Sequence, residues 1–106
     1  MMIRRTAIYA IVLLAVTVTS QGKAAAPAGE NLAERWCSQC HAVKPNQVST
    51  NPKAPPFLEV AARPSSTDYT LRVFLNIQHI EMPNFILKSD DADALVDYIM
   101  SMKPKR

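Results

Sequence analysis

Beyond its first 28 residues this chain has no excess charge of either sign, no alternating strand pattern of useful length, no internal repeat and no low-complexity tract. Each absence removes a class. The whole chain has a formal charge of +3, but Arg4, Arg5 and Lys23 account for all of it. From Gly29 onward nine basic and nine acidic side chains cancel. A nucleic-acid binder needs a one-sided basic footprint, and none is present here, so nucleic acid is not an expected partner. Without period-two alternation the chain does not read as a sheet protein.

A long apolar run is also missing. The longest, residues 7–18, is broken only by Tyr9 and Thr17, and a spanning helix needs roughly 20 apolar residues. Arg4 and Arg5 precede that run and small residues follow it. This is the three-part layout of a secretory signal. An uncleaved anchor facing the periplasm is the alternative. Cleavage sites are offered by Ala24-Ala25-Ala26 and Ala26-Pro27-Ala28; Pro27 directly after a cut is disfavoured, which points to Ala28. The expected division is therefore a secretory signal peptide at 1–28 and one small domain at 29–106. A domain of 78 residues rarely holds itself together by side-chain burial alone. It needs a disulfide, a metal or another staple.

Three segments have helical periodicity. Residues 30–39 carry Leu32, Ala33 and Trp36 on one face. Residues 66–78 place Leu71, Phe74, Leu75 and Gln78 at helical spacing, with Ser65, Ser66 and Asp68 as candidate caps. Residues 90–102 follow Ser89 as N-cap, with Asp90, Asp91 and Asp93 at the positive end of the helix dipole. Leu95, Val96, Ile99 and Met102 form the apolar stripe of that last helix, and Lys103 stands at its C-terminus. A short helical turn fits at 57–62. Between these lie the proline-rich stretches 44–57 and 81–85, which read as loops of defined shape. The expected fold is small and all-α, with three to four helices. Two long loops in so small a domain suit a chain that wraps around something.

Both cysteines fall in one stretch, Cys37-Ser38-Gln39-Cys40-His41. Cys-x-x-Cys-His is the attachment signature of c-type haem. Two thiols three residues apart each add to one vinyl group of the porphyrin, and the adjacent imidazole reaches the iron from the tethered side. Other chemistries fit less well. Zinc usually takes four ligands, and the chain has two cysteines and two histidines, with His41 poorly spaced for the same ion. A thioredoxin-like pair expects a βαβ setting. A disulfide between Cys37 and Cys40 closes too short a loop to stabilise much.

One histidine leaves the iron's other face open, and the candidates are Met82, His79, Met100 and Met102. Met100 and Met102 sit on the last helix, where methionine is ordinarily packing. Met82 sits in the loop Glu81-Met82-Pro83-Asn84-Phe85, which can close over the far side of a ring tethered at Cys37 and Cys40. Met82 is preferred, with His79 as the rival.

With these motifs in order, residues 29–103 resemble the class I monohaem cytochrome c family, in its short bacterial periplasmic form. The resemblance rests on Cys37-Ser38-Gln39-Cys40-His41, on Met82-Pro83-Asn84-Phe85 followed by Leu87 and Ser89, and on the last helix through Tyr98 and Met102. It implies a small cytochrome c fold whose long loops wrap one covalent haem c. Cys37 and Cys40 would form the thioethers, and His41 and Met82 would bind the iron. It implies a non-enzymatic, monomeric, periplasmic one-electron carrier. Partners would be redox proteins such as a periplasmic dehydrogenase, an oxidase or a membrane respiratory complex. Three alternatives accompany it: a haem subunit or dedicated acceptor of a dehydrogenase, a ligand-binding sensor, or a small peroxidase with a labile Met82.

Further expectations follow from the resemblance. The first and last helices would cross, with Gly29 as the close-approach glycine and Tyr98 as its aromatic partner. The family's aromatic four residues before the first cysteine is Ala33 here, leaving Leu32 or Trp36 to fill the space. A proline carbonyl, of Pro55 or Pro56, would accept the proton of the His41 imidazole. The apolar shell would comprise Leu71, Phe74, Leu75, Phe85, Leu95 and Ile99. Trp36 would pack at the haem edge or the helix crossing.

Overall fold

An alanine-rich stretch starts the first helix earlier than its apolar stripe suggests. A computed structural model describes residues 25–77, 81–83 and 86–105. Helix α1 spans Ala25–Trp36, against the expected 30–39. Alanine has the highest helix propensity, and Pro27 falls in the first turn, where a missing backbone donor costs nothing. The helix also stops sooner. The amides of Cys37 and Ser38 both bond to the carbonyl of Ala33, at 2.9 and 3.0 Å, and this tightens the chain into a turn.

Helix α2, Phe57–Ala62, has the expected bounds. Helix α3 spans Asp68–Leu75, shorter than the expected 66–78. Its cap is Thr67, not Ser65, Ser66 or Asp68. The Thr67 hydroxyl accepts from the amide of Thr70 while the Thr70 hydroxyl accepts from the amide of Thr67, a capping box built from two threonines. Ser66 is otherwise engaged, its buried hydroxyl donating to the carbonyl of Val60. Asn76 ends the helix, its side chain donating to the carbonyl of Arg72 at 2.8 Å. Helix α4 spans Ser89–Ser101; Lys88 is its N-cap, without a side-chain bond, and Ser89 is its first residue. Such one-residue shifts are common at helix ends. Among the described residues there are four helices and no strand, which is the small all-α fold expected.

Helix α4 is the central element. It packs against all three others, and most extensively against α1. Ala92, Leu95, Val96, Tyr98 and Ile99 are buried on it, and full burial of a large aliphatic side chain stabilises by about 1.5–3 kcal/mol. Met100 and Met102 are partly buried against the same core, which is the packing role expected of them. The crossing with α1 occurs at Gly29. A Cβ there would lie 2.1 Å from the carbonyl oxygen of Ala94 and 2.6 Å from the Cβ of Tyr98. Only glycine permits that approach, so the expected pairing of Gly29 with Tyr98 is present. Ala33 is fully buried one turn further along, and Trp36 packs beside the core. The space is thus taken by Ala33 itself, with Trp36 at its margin and Leu32 half-buried.

Polar links fix the remaining elements. Arg72 of α3 pairs with Asp93 of α4, and Lys103 donates to the carbonyl of Ser66 at 2.7 Å. The second link ties the end of α4 to the turn between α2 and α3. Of the expected apolar shell, Leu71, Leu95 and Ile99 are buried and Leu75 packs partly against them, whereas Phe74 is 49% exposed. Phe85, Gln78 and His79 lie outside the described residues, as do residues 1–24 of the expected signal segment.

Candidate haem-binding site

The turn after α1 explains the spacing of its reactive residues. The carbonyl of Cys37 accepts from the amides of Cys40, at 3.2 Å, and of His41, at 2.9 Å. Residues 37 and 41 therefore stand one helical turn apart, on the same side of the chain. Cys40 falls between them, three positions from the first thiol. Neither cysteine is in a disulfide. Cys37 is buried against the core and Cys40 is partly exposed. Burial pushes the Cys37 thiol up to about 11.

The loop at 42–56 folds back beneath this turn and is fastened to it at several points. Thr50 donates its hydroxyl to the carbonyl of Gln39 at 2.5 Å. The amide of Asn51 reaches the carbonyl of Cys40 at 3.2 Å, and the amide of Phe57 reaches that of Ala42 at 2.9 Å. Ser49 accepts from the amide of Ala42 at 2.9 Å. The side-chain carbonyl of Gln47 accepts from the amides of Val43 and Lys44. Lys44 is clamped by Glu34 at 2.7 Å and Glu30 at 3.6 Å. Hydrogen bonding to Glu34, with its negative charge, raises the pKa of that lysine.

This scaffold delivers one decisive contact. The Nδ1 of His41 lies 2.7 Å from the carbonyl oxygen of Pro55. A carbonyl only accepts, so Nδ1 carries the proton and donates it. In the neutral ring Nε2 is then left with its lone pair, the form that binds a metal. Between the two candidate prolines, the structure selects Pro55. Phe57 stands beside the imidazole at a centroid distance of 5.4 Å and limits its rotation.

The donor set fits a c-type haem. Two unbridged thiols and one oriented imidazole stand on a single turn. On α3 and just beyond it, the apolar side chains of Val73, Phe74 and Ile77 are 40–56% exposed. Among the described residues no group of three or more His, Cys, Asp or Glu side chains is placed to hold a bare metal ion.

Met82 is partly buried in the segment between α3 and α4. In sequence it stands apart from the turn of Cys37, Cys40 and His41. Its neighbour Glu81 pairs with Lys53 at 2.8 Å, two residues before Pro55. His79 lies outside the described residues. Two supporting groups escaped the sequence reading. One is the Lys53–Glu81 pair, whose members are 28 residues apart with no pattern linking them. The other is the Tyr98 hydroxyl, which donates to the carbonyl of Val43 at 2.5 Å. Tyrosine on a buried face does signal a need for a polar partner, but not which one.

Residues 24–99 match the family model described as cytochrome C oxidase, cbb3-type, subunit III. Over 94 residues the chain is 38% identical to cytochrome c-552 of Bradyrhizobium diazoefficiens, an alignment covering 87% of this chain and 90% of that relative. No solved structure matches the chain.

Proposed function

We propose a function from one premise: the chain belongs to the class I monohaem cytochrome c family. Members bind haem c covalently and carry electrons between redox partners. Our finer reading is that Cys37 and Cys40 form the thioethers, that His41 and Met82 are the two axial ligands, and that the protein shuttles single electrons in the periplasm without catalysis. The observation that carries it is the bond from His41 Nδ1 to the Pro55 carbonyl, which leaves Nε2 for iron beside both thiols.

When bound, haem c supplies an iron that gains and loses one electron. The chain's own residues make that exchange easy. His41 is held by Pro55 and flanked by Phe57, so it need not reorient as the charge changes. Met82 as a thioether ligand favours the reduced state over harder donors. Buried Leu71, Leu95 and Ile99 keep water from the core side and favour it further. With His41 and Met82 both holding the iron, the protein itself would occupy the places that a substrate would need.

Export supports the same reading. Arg4, Arg5 and the apolar run at 7–18 form a secretory signal, and cleavage after Ala28 retains Gly29, Ala33 and Cys37, the buried positions of the α1 region. Among the described residues no helix is long and apolar enough to cross a membrane. N-terminal sequencing of protein from the periplasmic fraction tests the cleavage; a chain retaining residues 1–28 in membranes favours the anchored alternative.

A second reading has two observations in its favour. The matching family model is described as an oxidase subunit, which suits a haem protein committed to one enzyme. The near-neutral charge of 29–106 offers little long-range steering toward many partners. Stable co-purification with an oxidase or dehydrogenase supports commitment; recovery as a free protein supports shuttling. Carbon monoxide added to the reduced protein tests the sealed site. No binding is expected, and ready binding would replace the carrier with a sensor or peroxidase.

A further inference from the structure

The Lys53–Glu81 ion pair spans 28 residues of sequence and joins the loop that supports His41 to the segment that carries Met82. Lys53 lies two residues before Pro55, whose carbonyl holds His41. Its backbone is fixed locally: its amide donates to the Asn51 side chain at 2.9 Å, and the amide of Ala54 donates to the Asn51 carbonyl at 3.0 Å. The ammonium of Lys53 is therefore presented from a rigid turn. Glu81 immediately precedes Met82 and meets that ammonium at 2.8 Å. Among the described residues this is the one ion pair made by the segment between α3 and α4. Pro83 follows Met82 and removes a backbone donor from the segment.

We propose that the Lys53–Glu81 pair is a latch that holds the Met82 segment against the loop supporting His41, and so sets how readily Met82 is displaced by an external ligand. The inference rests on the reading of Met82 as the distal ligand. Lys53 and Glu81 act here as positioning residues, touching neither the iron nor its ligands. Both side chains are well exposed, at 70% and 59%, so dissolved ions screen the pair. At about 0.1 M salt the screening length is roughly 10 Å, and at 1 M it is roughly 3 Å. Displacement of Met82 consequently accelerates with ionic strength.

Imidazole added to the ferric, haem-loaded protein provides the test, with loss of the sulfur-to-iron absorption as the signal. In the native protein the displacement rate rises about two- to fivefold from low to high salt, the size that an exposed pair allows. Lys53→Met and Glu81→Gln each begin at the fast rate and lose the salt dependence. The charge-reversed double variant, Lys53→Glu with Glu81→Lys, regains the slow, salt-sensitive rate. Reduction potential and thermal midpoint stay close to native throughout, which a general loss of stability would not produce. Native-like, salt-sensitive rates in both single variants would overturn the latch. Should the native ferric protein lack the sulfur band, the ligand assignment fails instead. Amide exchange at Glu81 and Met82 then decides the latch by itself: faster exchange in Lys53→Met upholds it, and unchanged exchange refutes it.

Discussion

The hydroxyl of Tyr98, near the end of α4, donates to the carbonyl of Val43, two residues beyond His41, at 2.5 Å. The last helix is thereby tied to the segment that leaves the turn of Cys37, Cys40 and His41. Burial first, then the negative charge of Glu30, raises the pKa of this phenol, so it remains a neutral donor at physiological pH. Tyr98→Phe leaves the Val43 carbonyl without that donor, and should cost about 1–2 kcal/mol. A thermal melt checks it, with a fall of several degrees expected for a domain of this size.

The same phenol predicts an alkaline weakness. Its pKa is raised on folding, so its contribution is complete below the unfolded value of about 10 and is lost as pH climbs through the folded value. Native protein should lose stability above roughly pH 10 more steeply than Tyr98→Phe does. Denaturant unfolding at several alkaline pH values makes the comparison.

At the helix crossing, even one added methyl is excluded. In Gly29→Ala the new carbon would meet the Ala94 carbonyl at 2.1 Å. Helices α1 and α4 must separate to accept it, and overpacking of this kind costs about 1–3 kcal/mol or more. Lower yield of haem-loaded protein and a depressed melting temperature are expected; native yield and stability would mean that the crossing is looser than the structure shows.

The two thiols should differ before haem is attached. With Cys37 pushed up to about 11 from an ordinary value of 9.0, its thiolate fraction at mildly alkaline pH falls by on the order of a hundredfold. Alkylation of haem-free protein, read by mass spectrometry, should label Cys40 first. Equal rates would mean that the haem-free chain does not hold Cys37 in the core.

How much was legible in the sequence varies with the range of the forces involved. The core face of α4 follows from apolar spacing, because burial writes a periodic pattern, and α2 follows from the gap between the first proline-rich loop and Pro64. The Cys37, Cys40 and His41 motif stands out in the sequence because the proposed thioether chemistry demands fixed spacing. Cap choice was not: Ser65, Ser66, Thr67 and Asp68 are all competent, and Thr67 prevails because Thr70 completes the capping box while Ser66 is drawn to the carbonyl of Val60. Pro55 and Pro56 could not be separated either, since a carbonyl's direction depends on how the whole 42–56 loop is fastened. Lys53 and Glu81 leave no trace, as an exposed ion pair imposes no pattern on the residues between.

The assignment of Met82 is the most exposed part of the account. The direct measurement is the red absorption of the ferric haem protein in native, Met82→Ala and His79→Ala forms. A weak sulfur-to-iron band should appear in the native protein, survive in His79→Ala and vanish in Met82→Ala, with a lower reduction potential in that last variant. A native protein without the band, or a band and potential untouched by Met82→Ala, would contradict the His41–Met82 pairing on which the carrier reading stands.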